Sequence, residues 1–313
     1  MTWKVLISAP YLLPVIEEYR SQLEAAGVEL VLADVCERLS EEELLPLVGT
    51  IHGAICGGDK FSERVLNAAP HLKVISKWGT GIDSIDVAAA TRLGIKVCNT
   101  PDAFTDCVAD STLGYILNFA RRLYKMDQDI RRGQWIKPDA VALRECTLGV
   151  VGVGNIGKAV VRRAVAFGMT VVGYDQVPLP ETFLAETGLK PRSLPELLKS
   201  SDFVTLHCDL NPTSYHLIDR DQFELMRPGA YLINTSRGAV VNESALVAAL
   251  RTGKIAGAAL DVFENEPLPD DSPLRQMDNC LLAPHNSNSG LAAKKRVHES
   301  TITNLLENLE RAN

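Results

Sequence analysis

The sequence lacks paired cysteines, long apolar runs and an excess of basic residues. Its seven cysteines are scattered singly, without a Cys-x-x-Cys pair or a histidine cluster at zinc-ligand spacing, so neither a disulfide framework nor a metal site is expected. No stretch approaches the roughly 18 uninterrupted apolar residues of a membrane span, and the first residues lack a signal-peptide pattern. The net charge of -7 argues against nucleic acid as a partner. These features predict a cytoplasmic globular protein with reduced thiols.

Short apolar runs alternate with amphipathic stretches along most of the 313 residues. A first series of candidate strands covers residues 5–7, 28–32, 53–56, 74–76 and 96–98. A second series covers residues 148–151, 171–174, 203–206, 231–234, 258–261 and 280–283. Strands separated by helical stretches are typical of parallel βαβ units. The sequence therefore predicts an α/β fold with two doubly wound parallel sheets.

Two further stretches are apolar at helical spacing. The first, residues 105–126, is predicted as one helix, and Thr100-Pro101 before it is a turn signal that fits a crossover between domains. The second, residues 292–309, is also predicted as a helix. Its composition does not indicate which of the two sheets it covers.

A glycine-rich motif, Gly152-Val153-Gly154-Asn155-Ile156-Gly157, follows the β-branched run 148–151 and precedes a helical stretch. In that context the first glycine permits a tight turn, the second lets a pyrophosphate approach the backbone, and the third allows close packing of helix and strand. The phosphates would sit on free amides at the positive end of the helix dipole. The motif predicts a dinucleotide site.

The next predicted strand ends in Asp175, close to the spacing of about 20 residues after the motif that is expected for a ribose-binding acid. A carboxylate accepts hydrogen bonds from ribose hydroxyls but repels a 2′-phosphate. Gln176 and Val177 supply no cation immediately after it. NAD is therefore predicted in preference to NADP.

Three candidate catalytic residues, Arg237, Glu266 and His285, each come just after a predicted strand of the second series. Hydride transfer to a 2-keto acid needs a cation for the carboxylate, a proton donor for the keto oxygen and a partner that tunes the donor. An imidazole beside a carboxylate holds a proton at neutral pH, and a guanidinium offers two parallel donors. We assign His285 as acid/base, Glu266 as its orienting partner and Arg237 as the cation.

At this point the sequence resembles the D-2-hydroxyacid dehydrogenase family, in its phosphoglycerate dehydrogenase-like branch. The motifs that carry the resemblance are Trp78-Gly79-Thr80-Gly81-Ile82-Asp83 with Ile85-Asp86, residues 152–157, residues 234–238, residues 260–267 and Pro284-His285. They span nearly the whole chain in the order of the family.

The resemblance implies roles for individual residues. Arg237, Glu266 and His285 would be the catalytic set. The amides of Gly79, Thr80 and Gly81, together with Arg237 and His285, would bind the substrate. Besides Gly152, Gly154 and Gly157, the expected dinucleotide contacts are Thr80, Asn155, Ile156, Asp175, Cys208, Pro212, Thr235 and Asp261, with Asp261 near the nicotinamide carboxamide.

The resemblance also implies an architecture. Residues 1–100 and 288–313 would form a discontinuous, flavodoxin-like substrate domain, with the final helix returning to it, and residues 101–287 a Rossmann domain for NAD. The family is normally a homodimer, whose protruding arm would correspond to the helix around residues 106–122.

Several alternatives stay open for the substrate and the activity. Candidate substrates are 3-phosphoglycerate, hydroxypyruvate or glyoxylate, and bulkier 2-keto acids. Lys60, Arg64 and Lys77 are available to a phosphate, although solvated surface positions are the more common role of such residues. Asp110 stands where the family usually has Glu, and residues 286–289 replace the commoner small apolar residues after the histidine. A non-catalytic, dinucleotide-sensing protein similar to a corepressor is the alternative from another class.

Overall fold

The computed structural model describes residues 2–311, whose contacts form two compact units. The first unit contains the residues through Phe104 together with those from Gly290 onward, and the second unit is Thr105–Ser289. Each unit has one parallel sheet, of five and seven strands respectively. The predicted α/β fold with two doubly wound sheets is confirmed.

The first unit has the strand order β2-β1-β3-β4-β5, the flavodoxin-like order. Its elements are β1 (Trp3–Ile7), α1 (Ile16–Ala25), β2 (Val28–Leu32), α2 (Glu41–Val48), β3 (Gly53–Cys56), α3 (Glu63–Asn67), β4 (Val74–Lys77), α4 (Val87–Arg92) and β5 (Lys96–Cys98).

In the second unit, helices cover both faces of the seven-stranded sheet. Its elements are α5 (Thr105–Arg121), α6 (Leu123–Arg131), β6 (Thr147–Val151), α7 (Asn155–Ala166), β7 (Thr170–Tyr174), α8 (Glu181–Thr187), β8 (Lys190–Pro191), α9 (Leu194–Ser200), β9 (Phe203–Leu206), α10 (Arg220–Leu225), β10 (Tyr231–Asn234), α11 (Glu243–Arg251), β11 (Gly257–Leu260) and β12 (Cys280–Leu282). The strand order is β12-β11-β10-β9-β6-β7-β8.

Consecutive residues of the central strands explain the β-branched runs in the sequence. Val150 belongs to the hydrophobic core on one face of the seven-stranded sheet, and Val151 belongs to the core on the other face. Val171 and Val172 of the neighbouring strand divide in the same way. Successive strand side chains point to opposite faces, so a sheet covered on both sides needs an uninterrupted apolar run.

The single helix predicted for residues 105–126 is wrong, because two helices meet within that range. Arg122 has a φ of 57°, in the left-handed region that interrupts a right-handed helix. The side chain of Asn118 accepts the backbone N–H of Tyr124 at 2.8 Å and so stabilises the start of α6. The apolar periodicity continues across the break, which is why the sequence pattern did not reveal it.

The final helix, α12 (Leu291–Glu310), packs on β3, β4 and β5 of the first unit. The Ser76 hydroxyl on β4 donates to the carbonyl oxygen of Thr301 at 2.8 Å. Leu305 lies close to Gly53: a β-carbon added at position 53 would be 2.9 Å from Cδ1 of Leu305. Composition left the partner of this helix open, whereas the contacts assign it to the five-stranded sheet. Within residues 2–311 no helix is long and apolar enough to cross a membrane.

Candidate active site

All the site residues predicted in the second unit follow strands of one parallel sheet, so they lie at its carboxyl edge. Open α/β sheets bind ligands at this edge, where the strand order reverses. The reversal here is between β6 and β9. From one end of the sheet to the other, the residues that follow β12, β11, β10, β9, β6 and β7 are His285, Glu266, Arg237, Cys208, Gly152 and Asp175.

The turn after β6 requires glycine at its first position. Gly152 has a φ of 85°, and a β-carbon there would lie 2.6 Å from the backbone nitrogen of Cys208. The turn therefore packs directly on the segment that follows β9. A larger residue would separate the two strand ends between which the dinucleotide is expected.

The helix α7 begins at the glycine turn with a glycine as its N-cap residue. Gly154 is the N-cap residue, and having no side chain it does not cap the amides of the helix start. A β-carbon on Gly154 would meet nothing within 4 Å, so the backbone is open on that side. Free amides at the positive end of a helix dipole are a site for a phosphate group. These residues fit a bound pyrophosphate.

Asp175 connects the end of β7 to the glycine turn. Its Oδ2 accepts the backbone N–H of Val153 at 2.7 Å, and its Oδ1 accepts that of Val177 at 2.9 Å. The carboxylate is thus fixed in direction before any ligand arrives. Each oxygen retains a lone pair for a ribose hydroxyl.

A cavity of about 210 Å³ lies beside Asp175 and the glycine turn. The residues that line it include Gly152, Gly154, Asp175 and Cys208, all predicted cofactor contacts. Burial raises the pKa of the Cys208 thiol to about 11, so this side chain is an uncharged wall of the cavity. The predicted contact Pro212 is exposed in the loop whose neighbours Asn211 and Thr213 line the same cavity.

Sequence reasoning missed His207, which also lines this cavity. Its Nε2 lies 2.9 Å from the Thr205 hydroxyl and its Nδ1 3.5 Å from the Thr235 hydroxyl, which in turn is 3.3 Å from that of Thr112. Desolvation lowers the pKa of His207 to about 3, so the ring is neutral. His207 directly precedes Cys208 after a predicted strand, and that position was the available signal.

The structure brings His285 and Glu266 together. Nδ1 of His285 lies 3.0 Å from Oε2 of Glu266, and Oε1 of Glu266 accepts the backbone N–H of Phe263 at 3.0 Å. An ionised carboxylate only accepts hydrogen bonds, so Nδ1 carries the proton of this pair and Nε2 is the nitrogen left for another partner. Both side chains are partly accessible. This is the arrangement of an acid/base histidine with an orienting carboxylate.

Asp261 fixes the loop that carries His285. Its carboxylate accepts the backbone N–H groups of Asn286 and Ser287, each at 2.8 Å, and its carbonyl oxygen accepts that of His285 at 2.8 Å. His285 has a φ of 49°, a conformation that a non-glycine residue keeps only when its surroundings impose it. The backbone amides of the two residues after the histidine thus hold the loop to the Asp261 carboxylate. The contact of Asp261 with nicotinamide stays a prediction.

Arg237 lies in a turn built by Asn234 at the end of β10. Oδ1 of Asn234 accepts the backbone N–H of Ser236 at 3.0 Å, and its side-chain amide donates to the carbonyl oxygen of Arg237 at 2.9 Å. The guanidinium donates to the Ser236 carbonyl oxygen at 2.8 Å and is partly accessible. The turn therefore holds a cation at the carboxyl edge of the sheet.

In the first unit, the predicted substrate loop follows β4 directly. Gly79 has a φ of 106°, and the Thr80 hydroxyl donates to the carbonyl oxygen of Thr100 at 3.1 Å. Thr80 itself is exposed, and Gly81 is partly accessible. The contacts of these three residues with substrate and cofactor stay predictions.

The three cations considered for a phosphate differ in their surroundings. Lys60 is exposed, and Arg64 pairs with Glu42 at 3.1 Å on the surface. Lys77 is partly buried, and its Nζ lies 4.0 Å from the position of a β-carbon on Gly79. Of these three, Lys77 is the cation beside the substrate loop.

Asp110, which departs from the family pattern, is exposed on α5 and pairs with Arg163 of α7 at 2.6 Å. Asp106 pairs with the same guanidinium at 2.9 Å. The carboxylate at position 110 therefore contributes to the packing of two helices.

Comparisons with known proteins identify the family. A profile of the D-isomer specific 2-hydroxyacid dehydrogenase family, describing its NAD binding domain, matches residues 113–287. The glyoxylate reductase of Thermofilum pendens is 42% identical over 274 residues, which are 85% of this chain and 81% of that protein. The D-3-phosphoglycerate dehydrogenase of Methanocaldococcus jannaschii is 41% identical over 266 residues, 84% of this chain and 50% of that protein. The D-lactate dehydrogenase of Aquifex aeolicus, crystallised with NAD and lactic acid, superposes with a TM-score of 0.87 at 29% identity, covering 98% of this chain and 97% of that one.

A family profile that covers more than half of the chain, relatives above 40% identity and a common fold define one class of protein. The chain belongs to the D-isomer specific 2-hydroxyacid dehydrogenase family. It is an NAD-dependent oxidoreductase that acts on a 2-hydroxy or 2-keto acid. The predictions of the family, of an enzyme and of NAD are confirmed, and the alternative of a non-catalytic binding protein is not retained.

Proposed function

We propose that the protein reduces a short 2-keto acid of the glyoxylate or hydroxypyruvate type with NADH. The observation that carries the proposal is the hydrogen bond between His285 Nδ1 and Glu266 Oε2 at the edge of the sheet that carries the glycine turn. Relatives named glyoxylate reductase support the substrate class.

Proton transfer is assigned to His285. Because Glu266 accepts the Nδ1 proton, Nε2–H is the group that donates to the C2 oxygen during reduction and takes the proton back during oxidation. Glu266 stabilises the imidazolium before transfer and keeps the ring in one orientation. The reduction consumes one proton, which solvent returns to His285.

The guanidinium of Arg237 is assigned to the substrate carboxylate and to the negative charge that grows on the C2 oxygen. Two parallel N–H groups match a carboxylate, and a cation near the oxygen lowers the barrier. Bound nicotinamide supplies the hydride. The protein contributes orientation, charge and the proton.

A short substrate is supported by the aromatic residues packed around the substrate loop. Trp78 is buried, stacks on Tyr11 at 4.8 Å between ring centroids, and lies 5.6 Å from Phe104. The Phe104 ring would be 3.7 Å from a β-carbon on Gly79. Rings in these positions leave little room next to the loop for a substrate with a bulky side chain.

A second candidate substrate is 3-phosphoglycerate, which the position of Lys77 favours. An ammonium beside the loop suits a dianionic phosphate. The variant Lys77→Met separates the two: if the substrate is phosphorylated, kcat/KM for phosphohydroxypyruvate falls at least about tenfold more than that for hydroxypyruvate. Equal effects on both exclude a phosphate contact.

A homodimer is proposed from apolar side chains exposed after α5. The apolar face of α5 itself is buried, with Leu113 and Ile116 in a hydrophobic core. By contrast, Trp135 is 82% exposed and Ile136 52%. Apolar residues clustered at a surface mark a protein contact, so the interface is proposed at residues 123–141 in place of 106–122.

The proposal is tested by NADH oxidation with purified protein across glyoxylate, hydroxypyruvate, phosphohydroxypyruvate and bulkier 2-keto acids. His285→Ala should lower turnover by about a hundredfold or more while the Kd for NADH changes little. Wild-type turnover in this variant would remove the assigned acid, and inactivity across the panel would contradict the substrate class.

A further inference from the structure

Three segments of the second unit meet at the carboxylate of Glu264. Its Oε1 accepts Nε2–H of His216 at 2.7 Å and the backbone N–H of Glu243 at 3.2 Å. In return, the backbone N–H of Glu264 donates to Oε1 of Glu243 at 2.5 Å. All three residues are partly buried, so these hydrogen bonds are less exposed to competition from water than surface pairs.

His216 connects this cluster to the segment that follows Arg237. Its backbone has a φ of 49°, and its N–H donates to the carbonyl oxygen of Ala239 at 2.8 Å. Two residues later, Ile218 forms a parallel bridge with Val241. The segment between Arg237 and α11 is thus paired along its length with the His216 segment.

Glu264 also lies in the turn that carries Glu266. The backbone N–H of Phe263, the preceding residue, donates to Oε1 of Glu266. Burial, followed by the negative charges of Glu264 and Glu266, raises the pKa of Glu243, whereas the N–H of Glu264 opposes that rise.

We propose that His216, Glu264 and Glu243 are positioning residues that hold the Glu266 carboxylate in register with His285. The proposal rests on the proposed role of Glu266 as the partner of the acid/base histidine. None of the three is assigned a contact with substrate. They act through the 263–266 turn, which Glu264 joins to His216 and to Glu243.

The test combines Glu264→Leu, Glu264→Gln and Glu266→Gln. Glu264→Leu removes the acceptor, whereas glutamine keeps an Oε1 that accepts from both His216 and Glu243. We expect Glu264→Leu to lower kcat by about tenfold with the Kd for NADH within about twofold, and Glu264→Gln to restore kcat to within about threefold of the wild type. Glu224→Leu, at an exposed acidic position of the same unit, serves as control and should leave kcat unchanged.

A double-mutant cycle shows whether Glu264 acts through Glu266. In the Glu266→Gln background, Glu264→Leu should cost less than about twofold in kcat, because the group that it positions is already gone. His216→Phe provides a second route to the same test if Glu264→Leu does not fold, and it should lower kcat in the wild-type background only. Additive losses, or a glutamine variant as slow as the leucine variant, would overturn the proposal.

Failure of the proposed function has a different signature. If Glu266→Gln alone leaves kcat unchanged, the assigned role of Glu266 is wrong. If Glu266→Gln lowers kcat and neither Glu264→Leu nor His216→Phe does, the positioning network alone is wrong.

Discussion

Gly238 lies directly against the backbone carbonyl of Phe263, and a β-carbon at position 238 would overlap it. Gly238 follows Arg237, and Phe263 begins the turn that carries Glu266. The turn with the assigned cation and the turn with the assigned carboxylate are therefore in backbone contact. Their spacing depends on the absence of a single side chain.

Gly238→Ala should separate the two turns and lower kcat by about a hundredfold, because small displacements of catalytic groups have large effects on rate. Steady-state kinetics with the best keto acid measures the loss. Gly114→Ala is the matched control, since a β-carbon on Gly114 in α5 meets nothing within 4 Å and alanine favours a helix. Similar kinetics for the two variants would refute the spacing argument.

Replacing Asp175 should change the preference between NADH and NADPH. Asp175→Ala removes the charge that repels a 2′-phosphate, and we expect the ratio of the two Kd values to move toward NADPH by about tenfold, or about 1.4 kcal/mol. It also removes the acceptor of the Val153 and Val177 amides, so NADH itself should bind more weakly. Asp175→Asn removes the same charge but keeps one acceptor oxygen for these amides. Fluorescence titrations of the wild type and both variants with each cofactor measure all six constants, and an unchanged ratio would contradict the assignment.

The neutral ring of His207 predicts a loss of stability in mild acid. An imidazole in the unfolded chain takes up a proton near pH 6.5, whereas the folded protein holds the pKa of His207 at about 3. Between these values the unfolded state binds more protons, so each pH unit below about 6.5 lowers the free energy of unfolding by up to about 1.4 kcal/mol. This contribution is absent above the unfolded pKa and reaches its full size only near pH 3.

His207→Asn should therefore lose less stability than the wild type when the pH falls from 7.5 to 5.5. The difference expected from this one group is about 1.4 kcal/mol. Denaturant unfolding at both pH values measures it, and each protein at pH 7.5 is its own reference. Parallel pH dependence in the two proteins would show that the folded state protonates this ring.

Residues 123–141 should govern the oligomeric state. Sedimentation of the wild type is expected to give twice the mass of one chain, and Trp135→Ser combined with Ile136→Ser should give a single chain, because two large apolar surfaces are lost. Leu93→Ser, at an exposed apolar position of the first unit, is the control and should leave the mass unchanged. A wild type that sediments as one chain would rule the dimer out.

The sequence predicted most strands to within a residue, because buried parallel strands need nearly continuous apolar runs such as Leu148-Gly149-Val150-Val151. It missed β8, a two-residue strand that ends in Pro191 at the sheet edge, where no apolar run is required. It also missed the break at Arg122, because a left-handed arginine has no local signature. Apolar periodicity indicates which face of a helix is buried, but it does not show whether the helix is continuous.

The sequence likewise predicted some residues of the candidate site and missed others. Arg237, Glu266 and His285 each follow a strand, and the parallel order of those strands was enough to place them on one edge. His207 and the cluster around Glu264 were missed because their significance lies in contacts between segments far apart in sequence. His216 and Glu264, for example, are 48 positions apart. No spacing rule connects such residues.

The hydrogen bond between Ser76 and Thr301 joins positions 225 residues apart. At the usual speed of translation the ribosome needs on the order of tens of seconds to cover that distance. During that time the nascent chain lacks the helix that covers β4, while the strands of the intervening unit are made one after another and end at Leu282. Just before α12 is made, the first unit is therefore still incomplete although every strand of the second has been synthesised, and a chaperone that recognises apolar β-sheet would find its target on β4.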